Sequence, residues 1–204
     1  MIEKAEKQIL VKIKKAKRGT LFFIENFLAK NNSSAVRKAL ERLVKKGEVI
    51  RISRGIYVIP ASDPLLGQLM PSIEKIAQAI AKRDKARIVP TGVYALNQLG
   101  LSTQMPMNIV FLTDGAPRKI DICGRKIMFK KTTPKNLIAI GEISKLVIQA
   151  LRSIGSDKVT PKEILQIQNL LRKEKIKHLE HDFNLAPTWI KEIIRPILKE
   201  LKNE

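Results

Sequence analysis

The chain is poor in several residue types, and each shortage removes a class of protein. With one cysteine, Cys123, in 204 residues, no intramolecular disulfide can form, and a reducing, cytoplasmic location is expected. The two histidines, His178 and His181, have the spacing of metal ligands on one helix face, but no cysteine lies nearby to complete a set, so neither metal nor cofactor is expected. Aromatic residues make up 4% of the chain, and Phe22, Phe23, Phe27 and Tyr57 are interleaved with aliphatics, which places them in a core. No apolar run approaches the roughly 20 residues of a membrane span. Met1 leads into a Lys/Glu-rich helix, so neither membrane association nor a signal peptide is expected.

Acidic residues are also scarce: 19 Asp and Glu stand against 39 Lys and Arg, a net charge of +20. Residues 1–60 carry 15 basic and 5 acidic groups, 61–140 carry 12 and 5, and 141–204 carry 12 and 9, so the excess is greatest at the N-terminal end. Such a charge attracts polyanions and releases their counterions, giving strong, salt-dependent binding that is at first indifferent to sequence.

Catalytic signatures are missing too. The chain has no Walker-type phosphate loop, no dinucleotide fingerprint and no recognisable Ser/His/Asp set. Asp114 and Asp121 fall near strand ends and form the best pair for holding Mg²⁺, but Asp114 precedes Gly115 in a turn, where aspartate is favoured for its backbone hydrogen bonding. Cys123, beside Gly124 and Arg125, is expected to be inert. The chain is therefore expected not to be an enzyme.

What is present centres on Asn31 to Pro60, NNSSAVRKALERLVKKGEVIRISRGIYVIP. Val36, Ala39, Leu40 and Leu43 recur at helical spacing; Ser33 or Ser34 is expected to cap the first turn, and Gly47 supplies the left-handed residue that ends the helix. Ser34, Arg37, Lys38, Glu41, Arg42 and Lys45 fall on the opposite, mostly cationic face. A strand from Glu48 to Ser53, a turn at Arg54 and Gly55, and a strand from Ile56 to Ile59 follow. A basic helix followed by a basic hairpin is the pattern of a winged helix-turn-helix. The expected DNA contacts are Ser33, Ser34, Arg37, Lys38 and Arg42 on the helix and Arg51 and Arg54 on the wing.

The expected fold is α+β. Residues 1–60 form the winged helix-turn-helix, with an amphipathic helix built on Ile2, Ala5, Ile9, Ile13 and Ala16 and a strand-then-helix segment from Thr20 to Lys30. The proline-rich stretch 61–71 is expected to be a linker without regular structure. Residues 72–204 form a second domain: a helix over Ile73–Lys82, a short strand stopped by Pro90, a helix capped by Thr91 with Val93, Leu96 and Leu99 inward, a small antiparallel sheet between Asn108 and Lys130, and a helical C-terminus kinked at Pro196. Arg118, Lys119, Arg125, Lys126, Lys130 and Lys131 give this domain a basic surface of its own.

Val36 to Pro60, then PTGVYALNQLGLSTQMP (Pro90 to Pro106), then FLTDG (Phe111 to Gly115), resemble a short branch of the AbiEi-like antitoxins of bacterial type IV toxin-antitoxin systems. The resemblance implies an N-terminal domain that binds inverted repeats in its own promoter as duplex DNA and represses it, with two copies on the DNA. It also implies a C-terminal antitoxin domain that counters a nucleotidyltransferase-like toxin without a stable complex. The second basic surface would then meet flanking DNA or the toxin's RNA substrate. Two other readings share the charge: a basic RNA-binding or ribosome-associated protein, and a Mg²⁺-dependent nucleic-acid-modifying enzyme using Asp114 and Asp121.

Overall fold

The computed structural model describes residues 2–30, 32–65, 67–122 and 124–203; the expectations for Asn31 and Cys123 lie outside them. The fold is mixed α+β and separates into two compact units, Met1–Ile80 with Asp121–Gly124, and Ala81–Ile120 with Arg125–Glu204.

In the first unit, helix α1 (Ile2–Lys14) buries Ala5, Ile9 and Ile13, the residues its period selects. Strand β1 (Leu21–Phe23) and a 3-10 helix (Ile24–Lys30) follow, then helix α2 (Ser33–Lys45), strand β2 (Ile50–Ser53) and strand β3 (Ile56–Val58). Val36, Ala39, Leu40 and Leu43 of α2 join Phe22, Phe27 and Tyr57 in one core. The cap of α2 falls one residue earlier than expected: the side chain of Asn32 accepts from Ser34 N–H at 2.8 Å, so both serines lie inside the helix. At the other end Gly47, at φ +72°, donates to the Val44 carbonyl and Glu48 donates to that of Leu43, a Schellman closure that a side chain at Gly47 would strain.

The expected hairpin is part of a larger sheet. Its order is β1-β3-β2, all antiparallel, with β3 central and buried along its length. Gly55, at φ +75°, turns the β2–β3 hairpin, and a register shift between Arg51 and Ser53 marks a bulge beside the turn. The stretch 61–71, expected as an irregular linker, contains a second hairpin of β4 (Ala61–Asp63) and β5 (Gly67–Leu69). Its proline and glycine serve the turn, where Asp63 accepts from Leu65 N–H at 2.8 Å. Helix α3 (Ile73–Arg83) comes next, and the division between the units falls within it, after Ile80.

The second unit contains β6 (Ile88–Thr91), α4 (Val93–Gln98), β7 (Asn108–Thr113), β8 (Arg118–Ile122, whose last two residues group with the first unit), β9 (Arg125–Lys131) and a 3-10 helix (Pro134–Leu137). The helices α5 (Glu142–Ile154), α6 (Pro161–Leu171), α7 (Ile176–Leu185) and α8 (Thr188–Asn203) complete it. The sheet order is β6-β7-β9-β8. It is not wholly antiparallel as expected: β6 and β7 are antiparallel, but β7 and β9 run parallel, with Phe111 opposite Phe129 and Val110 opposite Met128. The apolar strand β9 takes an interior place, while β8, which exposes Lys119 and Asp121, takes the edge, where charge is tolerated.

Pro90, expected to stop a strand, lies within β6; an edge strand accommodates the missing N–H. Gly92 rather than Thr91 stands at the start of α4, and Tyr94 and Ala95 are its buried residues, with Val93 exposed. Pro196 does not divide α8, which runs on to Asn203. Thr160 and Glu163 form the capping box that opens α6.

Candidate nucleic-acid interface

At about 100° per residue, Ser34, Lys38, Glu41 and Lys45 line the centre of the exposed face of α2, opposite the buried seam. Arg37 and Arg42 lie on the two flanks, and Ser33, exposed in the first turn, lies on the Arg37 side. The flanks differ. Arg42 faces α1 and pairs with Glu6 at 3.7 Å, beside the closer Lys46–Glu6 pair at 2.5 Å. The hydrogen bond from Lys46 holds the Glu6 carboxyl below the usual carboxylate range. Arg42, expected among the readers, is thus tied to the scaffold on one side.

Arg37 faces the hairpin. A cleft of about 350 Å³ lies between α2 and the hairpin, and Arg37, Glu41, Arg51, Arg54 and Tyr57 line it, with Gly55, Ile24 and Glu25 completing the wall. The sheet explains the convergence. Arg51 stands opposite Tyr57 in the β2–β3 register, and Phe22 stands opposite Tyr57 on β1, so all three side chains share a face. Phe22 and Phe27 pack at 5.7 Å between ring centroids and anchor that face in the core. Burial pushes the Tyr57 phenol above its ordinary value; Arg51 opposes the shift, Glu41 adds to it and Arg37 opposes it. Three charges therefore act on one hydroxyl. Among the described residues, Arg37, Lys38, Glu41, Arg51 and Arg54 form no ion pair. The four cations of this group are therefore not neutralised by a carboxylate of the chain at contact distance, and Glu41 sets one negative charge among them.

Six of the seven expected DNA contacts are exposed and not ion-paired, and three of them, Arg37, Arg51 and Arg54, meet in one cleft. Glu41 and Tyr57 were not among them. The spacing of Arg37 and Glu41, four residues apart on α2, was the only sequence signal that placed Glu41 beside Arg37.

The other candidates occupy different settings. Arg87 donates to Asp114 through its side chain at 2.8 Å and its backbone N–H at 2.7 Å, and these bonds hold the Asp114 carboxyl low. Asp121 is exposed on β8. Among the described residues, no group of three or more His, Cys, Asp or Glu side chains is placed to hold a metal ion. His178 and His181 instead flank two carboxylates that close the start of α5. Asp182, fully buried, accepts from the Ile140 and Gly141 N–H groups at 2.9 Å each and from the Ser144 hydroxyl at 2.6 Å. Glu174 accepts from the N–H groups of Ile143 and Ser144 at 2.7 and 3.1 Å. The His181 ring nitrogen lies 2.8 Å from Asp182. Glu174 thus satisfies two first-turn N–H groups of α5 that would otherwise be orphaned, and Asp182 satisfies those of Gly141, at its N-cap, and of Ile140 before it.

No helix among the described residues is long and apolar enough to cross a membrane. The chain belongs to DUF6088, a family of unknown function, whose model matches residues 8–179. No curated protein matches it. Among solved structures it is similar to the crystal structure of the RV2827C protein from Mycobacterium tuberculosis, at 11% identity and a TM-score of 0.49, over 96% of this chain and 76% of that one.

Proposed function

We propose that this DUF6088 protein is a sequence-specific DNA-binding repressor, without enzymatic activity, whose first unit is a winged helix-turn-helix. In this reading α2 is the recognition helix and the β2–β3 hairpin is the wing. One observation carries it: Arg37 and Glu41 of α2 and Arg51 and Arg54 of the hairpin line a single cleft, and among the described residues none of the four forms an ion pair. Ser34, Arg37 and Lys38 offer donors to base edges, and Glu41 accepts from an exocyclic amine such as cytosine N4. Arg51 and Arg54 grip phosphate and fix the register of the helix in the groove.

The resemblance to AbiEi-like antitoxins extends the proposal. The operator is an inverted repeat in the protein's own promoter, occupied by two copies, and the second unit serves antitoxin activity against a nucleotidyltransferase-like toxin. Footprinting of the purified protein on the DNA upstream of its own reading frame tests the repressor reading. Protection confined to a segment with inverted symmetry supports it; protection spread evenly along the fragment contradicts it. Relief of toxin-induced growth arrest by the full chain, but not by the chain truncated after the first unit, is the expected result for the antitoxin role.

A further inference from the structure

Helix α1 packs one face on the core of the first unit, and an open groove of about 510 Å³ runs between it and the 3-10 helix that follows β1. Ile9, Val11, Phe27 and Ala29 give the groove an apolar floor, and Lys7 and Lys12 also line it. Val11 is 56% exposed, so the apolar surface reaches solvent. The Lys12 ammonium is held over this floor: it donates to the Asn26 carbonyl at 2.8 Å and stands 5.3 Å from the centre of the Phe27 ring. An ammonium has three donors, so that bond leaves Lys12 able to meet a ligand. Among the described residues, Lys7 and Lys12 form no ion pair and no carboxylate lines the groove. The nearby acid Glu6 is turned toward α2, where it pairs with Lys46 and Arg42. At about 100° per residue Lys4 lies roughly 20° from Val11 around α1 and adds a third exposed cation to the same stripe.

We infer that this groove is a binding site for a small amphipathic carboxylate, a free ligand with an aliphatic body and one carboxylate at its end. The body covers Ile9, Val11 and the Phe27 ring, and the carboxylate takes the Lys12 ammonium, with Lys7 as the second cation. Both halves of the ligand are needed to match the site. A phosphate backbone would use the lysines and leave the apolar floor unmatched, whereas a purely apolar ligand would leave the lysines without a counter-charge. Self-association through this face would set Lys4, Lys7 and Lys12 against their own counterparts. The volume falls within the range of roughly 300 to 1,000 Å³ of small-molecule sites. The α1 wall, from Lys7 to Lys12, is about 8 Å long. That is shorter than the span of about 10 Å over which a docked helix sets its i to i+7 anchors.

The test titrates the full chain with octanoate, below the concentration at which it forms micelles, and follows backbone amide shifts by NMR. Octan-1-ol, which has the chain without the charge, and acetate, which has the charge without the chain, are titrated alongside. Octanoate is expected to give saturable shifts confined to residues 7–12 and 26–29, with both controls weaker by about tenfold or more. Val11→Asp, at an exposed position, and the double variant Lys7→Gln with Lys12→Gln are each expected to weaken octanoate by about tenfold. Lys162→Gln with Lys177→Gln, exposed lysines of the second unit, removes the same charge and should leave the titration unchanged. Shifts that do not saturate, or that survive Val11→Asp, would overturn the site. Equal affinity for octan-1-ol, or equal loss in the two lysine pairs, would overturn the assignment of the carboxylate to Lys7 and Lys12. Shifts of these residues with anionic phosphatidylglycerol vesicles but not with octanoate would make the groove a membrane contact and overturn the proposal. The titration contains no DNA, so its outcome is independent of the reading of α2.

Discussion

The two units each build one dense polar cluster, and the clusters are opposite in kind. In the first, Arg37, Glu41, Arg51 and Arg54 line an open cleft with no ion pairs among them. In the second, Asp182, Glu174 and Ser144 are drawn inward and saturated by hydrogen bonds to the start of α5. Exposed, unpaired charge costs little to hold in water and can be exchanged for contacts with a ligand. Buried charge must be fully satisfied where it stands, and so serves the fold. Residue types alone would make either cluster a candidate site; pairing and burial separate them.

The largest effect that would break this contrast comes from the buried cluster. Asp182→Ala leaves two backbone N–H groups and the Ser144 hydroxyl without their acceptor, and is expected to cost about 3 kcal/mol of stability, read by urea unfolding. Promoter preference in the folded fraction should not change. An undiminished unfolding midpoint would mean that the cluster is not structural.

Next come the readers. Arg37→Ala and Lys38→Ala are each expected to weaken binding to the cognate site by about 1 to 3 kcal/mol and to relax discrimination at one base position, with unfolding unaltered. Glu41→Ala should strengthen binding to random DNA by removing a repulsive carboxylate, while reducing discrimination. Loss of the same size on every sequence from both Arg37→Ala and Lys38→Ala would end their assignment as base readers.

Asn32→Ala is expected to cost about 1 kcal/mol of stability through the lost cap, whereas Ser33→Ala and Ser34→Ala should be nearly silent in unfolding. This sharpens the contrast within α2, since its serines are then free to serve the ligand. On the hairpin, Arg51→Ala and Arg54→Ala should weaken all duplexes alike and lower the salt slope by about 0.9 each.

The smallest effect is shared by both units. Glu6, Asp114 and Glu200 are held low by Lys46, Arg87 and Arg172 respectively. A carboxyl whose folded pKa lies below its unfolded value, near about 4, stabilises the fold fully above that value, and the contribution is lost as pH falls through the folded pKa. Thermal unfolding should therefore be flat in these contributions from neutral pH down to about 5 and should decline below about 4. A midpoint that rises on acidification would contradict the three pairings.

Local periodicity carried the sequence reading furthest. The four apolar positions of α2 are all buried, and the aromatics of the first unit lie in the core where interleaving with aliphatics placed them. Errors arose wherever the outcome depended on distant partners. Pairing of β7 with β9 across β8, the strand role of Pro90 and the hairpin in 61–71 are set by which strands meet, which hydrophobic alternation does not encode. The same limit applied to the sites. The Arg residues of α2 and the hairpin, and Glu41 four positions after Arg37, are legible from their spacing, but the place of Tyr57 beside them depends on the β1-β3-β2 register. Asp182 reaches its partners near residue 141 from some 40 positions away, so its pairing with them, and the place of His181 beside it, are not encoded in any local pattern.

The central claim is that α2 reads sequence while the remaining charge only attracts. A titration of the intact protein against its own promoter duplex and a scrambled duplex of equal length, at low and high salt, tests it most directly. The account predicts that both affinities fall with salt and that the promoter preference survives at the higher concentration. Equal, steeply salt-dependent binding to the two duplexes would contradict it and leave the +20 charge as the whole explanation.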